Sequence, residues 1–179
     1  MVKKQIKELL SLLGFRQDGN IYAKEYDTTL HPLQVDVEKE RIYYENSGIT
    51  VNRSTTSNFS EDENLVVLEC VDRLLSKGYY ANHIELEPHW KLGHGTKGGY
   101  ADIWVRTYSD NAFDGNDDDK ISLLIIECKT SGAKFTEAWN DTLDDGAQLF
   151  SYFQQEPATK FLCLYTSDIV DGKVLPEYK

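Results

Sequence analysis

The sequence predicts an α/β (α+β) fold, a central sheet flanked by helices and preceded by a small helix-and-meander unit. Three observations carry this. Residues 121–129, ISLLIIECK, begin with a short run rich in Ile and Leu, the pattern of a strand buried on both faces. Residues 99–105, GYADIWV, read as a second strand, and the Asp-, Asn- and Gly-rich residues 108–120 between them read as a long exposed turn. Two strands joined in this way are expected to pair antiparallel. Residues 60–77 and 136–154 then carry the apolar periodicity of helices.

In chain order, residues 3–13 read as an amphipathic helix. Ile6, Leu9, Leu10 and Leu13 share one face, and Gly14 supplies the stop. Residues 21–26, 33–38 and 41–44 read as short strands, with Val35 and Val37 alternating against Asp36 and Glu38. Residues 1–50 thus form a helix and β-meander extension without evident chemistry. Residues 51–170 form the main domain, and residues 171–179 read as irregular, the start of a linker to a downstream region. Within the main domain, Ser60 and Glu63 match an S-x-x-E capping box at the start of the helix. On that helix Glu63 falls in the apolar arc near Val67, Cys70 and Leu74, whereas Glu69 falls on the opposite arc with Asp62, Asp72 and Arg73. Residues 83–86 and 160–165 (KFLCLY) read as further core strands. The helix over 136–154 has Trp139, Leu143, Ala147 and Phe150 as its apolar stripe, with an interruption near Gly146. Gln148 and Tyr152, four apart, share another face.

The 179 residues are enough for one domain with a sizeable core, and no apolar run reaches the length of a membrane span. The first residues, MVKKQIKELL, lack the apolar region and cleavage site of a signal peptide. Cys70, Cys128 and Cys163 are far apart and odd in number, which implies free thiols, a reducing cytoplasmic setting and no structural zinc. The net charge of −11 argues against tight, independent binding to a polyanion. Acidic residues concentrate in 110–119 and 137–145, which leaves room for a basic surface elsewhere.

Chemistry is expected where the two central strands end. Alternation places Glu127 and Lys129 on the same face of their strand. Antiparallel pairing brings Asp102 beside Glu127. Two close carboxylates repel, and a divalent cation is the usual reason to hold them together. The competing reading is a strand leaving the core with its charged groups solvated. Residues 91–99 contain a formal GxGxxG, but it opens a strand instead of a helix, so the dinucleotide reading is rejected. It reads instead as a loop beside the site, with Lys91, His94 and Lys97 available to bind DNA phosphates.

The order G-Y-A-D-I, then I-I-E-C-K, then Q-L-F-S-Y resembles the PD-(D/E)xK nuclease core, with Ala101 where the family name has Pro. Together with NRSTTSNFS and WKLGHGTKGGYAD, it is similar to the N-terminal endonuclease domain of restriction subunits. More narrowly, it is similar to the leading region of restriction-modification polypeptides that continue into an N6-adenine DNA methylase. The resemblance implies a restriction-endonuclease-like mixed central sheet and Mg²⁺-dependent hydrolysis of double-stranded DNA. It implies Asp102, Glu127 and the Cys128 carbonyl as metal ligands. Lys129 would orient or help deprotonate water and stabilise developing charge. An acidic residue on the first core helix, Glu63 in preference to Glu69, would hold a metal-bound water. Gln148 and Tyr152 would brace the site or the DNA strand. Sequence specificity would come from downstream methylase and specificity regions or subunits.

Two other classes fit less well. A non-cleaving DNA-processing or assembly module suits the acidic charge but gives no reason to keep Asp102, Glu127 and Lys129 together. A carboxylate pair acting on sugars leaves Lys129 without a role.

Overall fold

The computed structural model describes residues 3–89, 100–108 and 120–179. A 3-10 turn, Lys3–Gln5, leads into helix α1, Ile6–Leu12, whose Leu9 and Leu10 are fully buried. Gly14 takes φ +82, a left-handed conformation that suits glycine, and the chain reverses there. Strands β1 (Arg16–Asp18), β2 (Ile21–Lys24), β3 (Leu33–Asp36) and β4 (Arg41–Tyr43) then form an antiparallel sheet in sequence order. No apolar pattern announces β1, because all three of its residues are exposed.

The second sheet is mixed and has six strands. They are β5 (Thr50–Val51), β6 (Ile84–Leu86), β7 (Ile103–Tyr108), β8 (Lys120–Cys128), β9 (Phe161–Val170) and β10 (Lys173–Tyr178). Their spatial order is β10-β9-β8-β7-β6-β5. The β8–β9 and β5–β6 pairs are parallel and the others antiparallel. A parallel step needs a crossover, and helices α3 (Ala133–Asp145) and α4 (Ala147–Gln155) provide it between β8 and β9. Gly146, at φ +82, separates the two helices where the sequence expects an interruption.

Helix α2, Glu63–Ser76, covers one face of this sheet. Its Leu65, Leu68 and Val71 share a core with Ile103, Val105 and Ile126, and also with Leu9, Val35 and Ile42 of the N-terminal unit. Residues 1–50 therefore bury their apolar face in the same core as the main sheet. Helices α3 and α4 cover the other face, where Phe135, Leu149 and Tyr152 pack with Ala101, Ile125 and Leu164.

Two expectations are corrected. Residues 168–179 are not irregular: they complete β9 and form β10, an edge strand in register from Lys173 opposite Val170 to Tyr178 opposite Tyr165. Most of β10 is exposed, so it carries little apolar signal, and Pro176 is tolerated because an edge strand does not need every N–H. Helix α2 begins at Glu63 with Asp62 as its N-cap, and no side chain caps it, so the Ser60–Glu63 capping box does not form. The arc of α2 opposite its apolar one, bearing Glu69 and Asp72, is buried as well. Asp72 receives Lys24 Nζ at 2.6 Å and the Tyr26 hydroxyl at 2.5 Å, and Glu69 receives Arg73 and the Tyr165 hydroxyl. Enclosure between the meander and the sheet makes both arcs interior, and each buried carboxylate then needs a partner. No helix among the described residues is long and apolar enough to cross a membrane.

Candidate active site

The β7–β8 register pairs Ile103 with Ile126, which sets Asp102, one residue before β7, beside the Glu127–Cys128 end of β8. Asp102 Oδ2 accepts the Cys128 backbone N–H at 2.6 Å. The carboxylate thereby extends the ladder where the β7 backbone has turned away. In an extended residue the N–H and C=O point to the same side, so the Cys128 carbonyl also faces the Asp102 side.

Alternation along β8 sends Ile126 and Cys128 toward α2, and Ile125 toward the α3–α4 layer. Glu127 follows Ile125 to that second side and is buried, 4% exposed. Its Oε1 accepts Lys129 Nζ at 2.6 Å, and its Oε2 lies 3.1 Å from the Tyr152 hydroxyl. Lys129 Nζ also lies 3.6 Å from Glu63 Oε1. Three elements distant in sequence, the ends of β7 and β8 and the start of α2, thus place Asp102, Glu127, Lys129 and Glu63 in one cluster. Of the two glutamates on α2, Glu63 joins it, while Glu69 is committed to Arg73 and Tyr165.

The electrostatics follow from crowding. Burial, and then the nearby Glu127, hold the Asp102 carboxyl well above the usual Asp range, against the opposing Cys128 N–H. Burial raises Glu127 as well, despite Lys129 and Tyr152, and Glu63 adds repulsion. Burial disfavours the charge on Lys129, but Glu127, Glu63 and Asp102 outweigh it and push its amine above the usual lysine value. Lys129 is therefore an ammonium near neutral pH. It can donate hydrogen bonds to a bound group and offset charge that develops there.

Tyr152, on α4, is fully buried. Its hydroxyl donates to the Tyr100 carbonyl at 2.6 Å, the shorter of its two contacts. One phenolic proton cannot serve both the Tyr100 carbonyl and an ionised Glu127. Gln148 lies one turn before Tyr152 on α4. Lys91, His94 and Lys97 lie outside the described residues.

Glu87 is a part of this neighbourhood that the sequence does not announce. It follows β6, takes φ +51, and is 5% exposed. A side chain-bearing residue held in the left-handed region is under backbone strain. Its N–H donates to the Asp102 carbonyl at 3.0 Å, and its carboxylate accepts the Thr55 and Thr56 hydroxyls. Glu87 therefore ties the 52–58 loop to the backbone of Asp102. Acidic residues are too common in the sequence for this one to stand out.

A cleft of about 290 Å³ opens on Glu127 and Lys129 and is walled by Lys134, Glu137, Ala138 and Asp141 of α3. Among the described residues no three His, Cys, Asp or Glu side chains form a metal-holding group. A cation here would have Asp102, Glu127 and the Cys128 carbonyl as its protein donors, all hard oxygens. The charges fit such an ion: with all groups ionised, Asp102, Glu127 and Glu63 face the single ammonium of Lys129, a local excess of two negative charges. No protein-family model matches the chain, and no curated protein matches it.

Proposed function

We propose that this chain is a Mg²⁺-dependent deoxyribonuclease domain that hydrolyses phosphodiester bonds in double-stranded DNA. We further propose that it serves a restriction-modification enzyme in which downstream N6-adenine methylase and specificity regions choose the site. The observation that carries the reading is the convergence of Asp102, Glu127 and Lys129 at one end of the mixed sheet. Two carboxylates and an ammonium meet there with a surplus of negative charge that a divalent ion would balance.

Asp102, Glu127 and the Cys128 carbonyl would hold the ion, which supplies Lewis-acid neutralisation of the phosphate when bound. Lys129 donates hydrogen bonds to a non-bridging phosphate oxygen and offsets the charge that develops there. Glu127 fixes the Lys129 amine at 2.6 Å, and Glu63 holds it from the other side. Tyr152 holds the Tyr100 carbonyl, two residues before Asp102, from the core side of the site.

A non-cleaving DNA-processing or assembly module is the second reading. The net charge of −11 and the acidic wall of Glu137 and Asp141 favour it. Incubating supercoiled plasmid with Mg²⁺ separates the two readings. Nicking or cutting lost in folded Asp102→Ala and Lys129→Ala supports the nuclease. Activity that both substitutions leave untouched sinks it.

A further inference from the structure

The Tyr152 hydroxyl reaches the Tyr100 carbonyl, and the Tyr100 ring carries a cation. The Arg53 guanidinium lies 4.5 Å from the centroid of that ring. His89 stands against the same ring, with centroids 4.8 Å apart and a 35° tilt. His89 also bridges Tyr100 by backbone pairing. Arg53 and His89 are exposed, and Tyr100 is 38% exposed.

The loop that bears Arg53 is pinned on both sides. Asn52 donates its backbone N–H to the Leu86 carbonyl at 3.1 Å and its side-chain amide to Glu85 at 2.8 Å. Thr55 and Thr56 are bound to Glu87. A guanidinium lying over a ring uses its face, which leaves its N–H edges free for a planar, bidentate acceptor. No carboxylate among the described residues pairs with Arg53, whereas Arg73 and Arg106 each pair with one. In a chain of net charge −11, an exposed arginine held on a ring, with no carboxylate partner among the described residues, is informative.

The position of the arginine also fits the approach of a polyanion. The α3 wall of the cleft presents Glu137 and Asp141, which would repel one, together with Lys134. From Arg53 the connection to the cluster is short: its ring partner Tyr100, the Tyr100 carbonyl, the Tyr152 hydroxyl and Glu127.

We propose that Arg53, held on the Tyr100 ring, binds a backbone phosphate of the DNA strand flanking the phosphate at Glu127 and Lys129. This rests on the DNA reading of that site. The partner chemistry is a phosphodiester in duplex DNA, met by a rigid fork of N–H donors and contributing affinity without sequence preference.

The test is fluorescence anisotropy of a labelled DNA duplex with the full chain, in Ca²⁺ at several salt concentrations, with plasmid cleavage in Mg²⁺ alongside. Arg53→Ala is expected to weaken binding about tenfold and to lower the salt dependence by roughly one phosphate contact. Arg53→Lys restores the charge but not the fork, and should recover only part of the affinity. Tyr100→Leu should weaken binding while keeping the salt dependence, because the charge remains but its seat is gone. Arg53→Ala binding with wild-type affinity and salt dependence overturns the proposal, as does a wild-type chain that binds no duplex at low salt. The two readings fail separately. Cleavage that depends on Asp102 but is indifferent to Arg53 in binding defeats this inference and leaves the nuclease. Arg53-dependent binding without Asp102-dependent cleavage supports this inference and defeats the nuclease.

Discussion

The hydroxyl of Tyr152 lies 3.1 Å from Glu127 Oε2, so a side chain of α4 reaches through the core to the end of β8. The same hydroxyl holds the Tyr100 carbonyl at 2.6 Å, two residues before Asp102. Tyr152 thus braces both strand ends from beneath. Tyr152→Phe keeps the ring and leaves the Tyr100 carbonyl without its donor. The loss of stability should be about 1 kcal/mol, the ordinary net value of a buried hydrogen bond, read by urea denaturation. Mg²⁺-dependent cleavage should fall by roughly an order of magnitude as the backbone leading from Tyr100 to Asp102 loses its brace.

Asp102 and Glu127 make the metal-free fold sensitive to pH. Both carboxyls are held above their ordinary values, by burial first, so the folded state takes up protons that the unfolded state releases. A group raised in this way stabilises fully below its unfolded pKa, about 4 for Asp, and that stability is lost as pH rises through the folded value. Asp36 works in the opposite sense: its lowered pKa favours the fold above the ordinary range and is lost in stronger acid. Without metal, the melting temperature should therefore rise as pH falls from neutral toward about 5. Asp102→Asn keeps an acceptor for the Cys128 N–H and removes the charge. It should raise metal-free stability by about 1–2 kcal/mol and flatten the pH dependence, measured by calorimetry in chelator.

Divalent ions should reverse that effect in the unaltered protein. At a concentration about tenfold above its dissociation constant, an ion binding only the folded state adds roughly 1.4 kcal/mol. Thermal shift with Mg²⁺ or Ca²⁺ should show this gain, and Asp102→Asn should lose it. An equal gain in both proteins would place the ion elsewhere.

Lys129 should act as a fixed charge. Its amine is pushed above the ordinary lysine value, so it stays an ammonium through the neutral range, and no limb of the pH–rate profile below about 10 should belong to it. Lys129→Met should reduce cleavage by about 10²–10³-fold, the scale for losing one electrostatic donor in a site. Glu63→Gln should cost far less, because Glu63 stands at 3.6 Å from Lys129, a longer contact than the 2.6 Å of Glu127.

Much of this arrangement was legible in the sequence because it depends on local rules. The run ISLLIIECK reads as a strand because few other structures bury so continuous a stretch of Ile and Leu. The two-residue alternation then puts Glu127 and Lys129 on one side. The acid-rich turn before it makes an antiparallel partner of β7, and that pairing alone delivers Asp102. The break at Gly146 follows from the same local signals, whereas the mixed sheet was implied only by the resemblance to the nuclease core.

What the sequence could not decide depends on packing between distant elements. A helical wheel separates Glu63 from Glu69 by arc but cannot show that the meander closes over the far arc and buries Glu69 and Asp72 there. The lysine of an E-x-K pattern looks suited to proton removal or charge donation; the crowding of Glu127, Glu63 and Asp102 around it, visible only in the fold, favours its charged form further. Arg53, Tyr100 and Glu87 are unremarkable residues in the chain, and they gain meaning where the 52–58 loop, the end of β6 and the start of β7 meet. Side-chain period and turn chemistry act over a few residues and are written in order. Charge states and contacts are set by which surfaces the fold presses together, and that is decided in three dimensions.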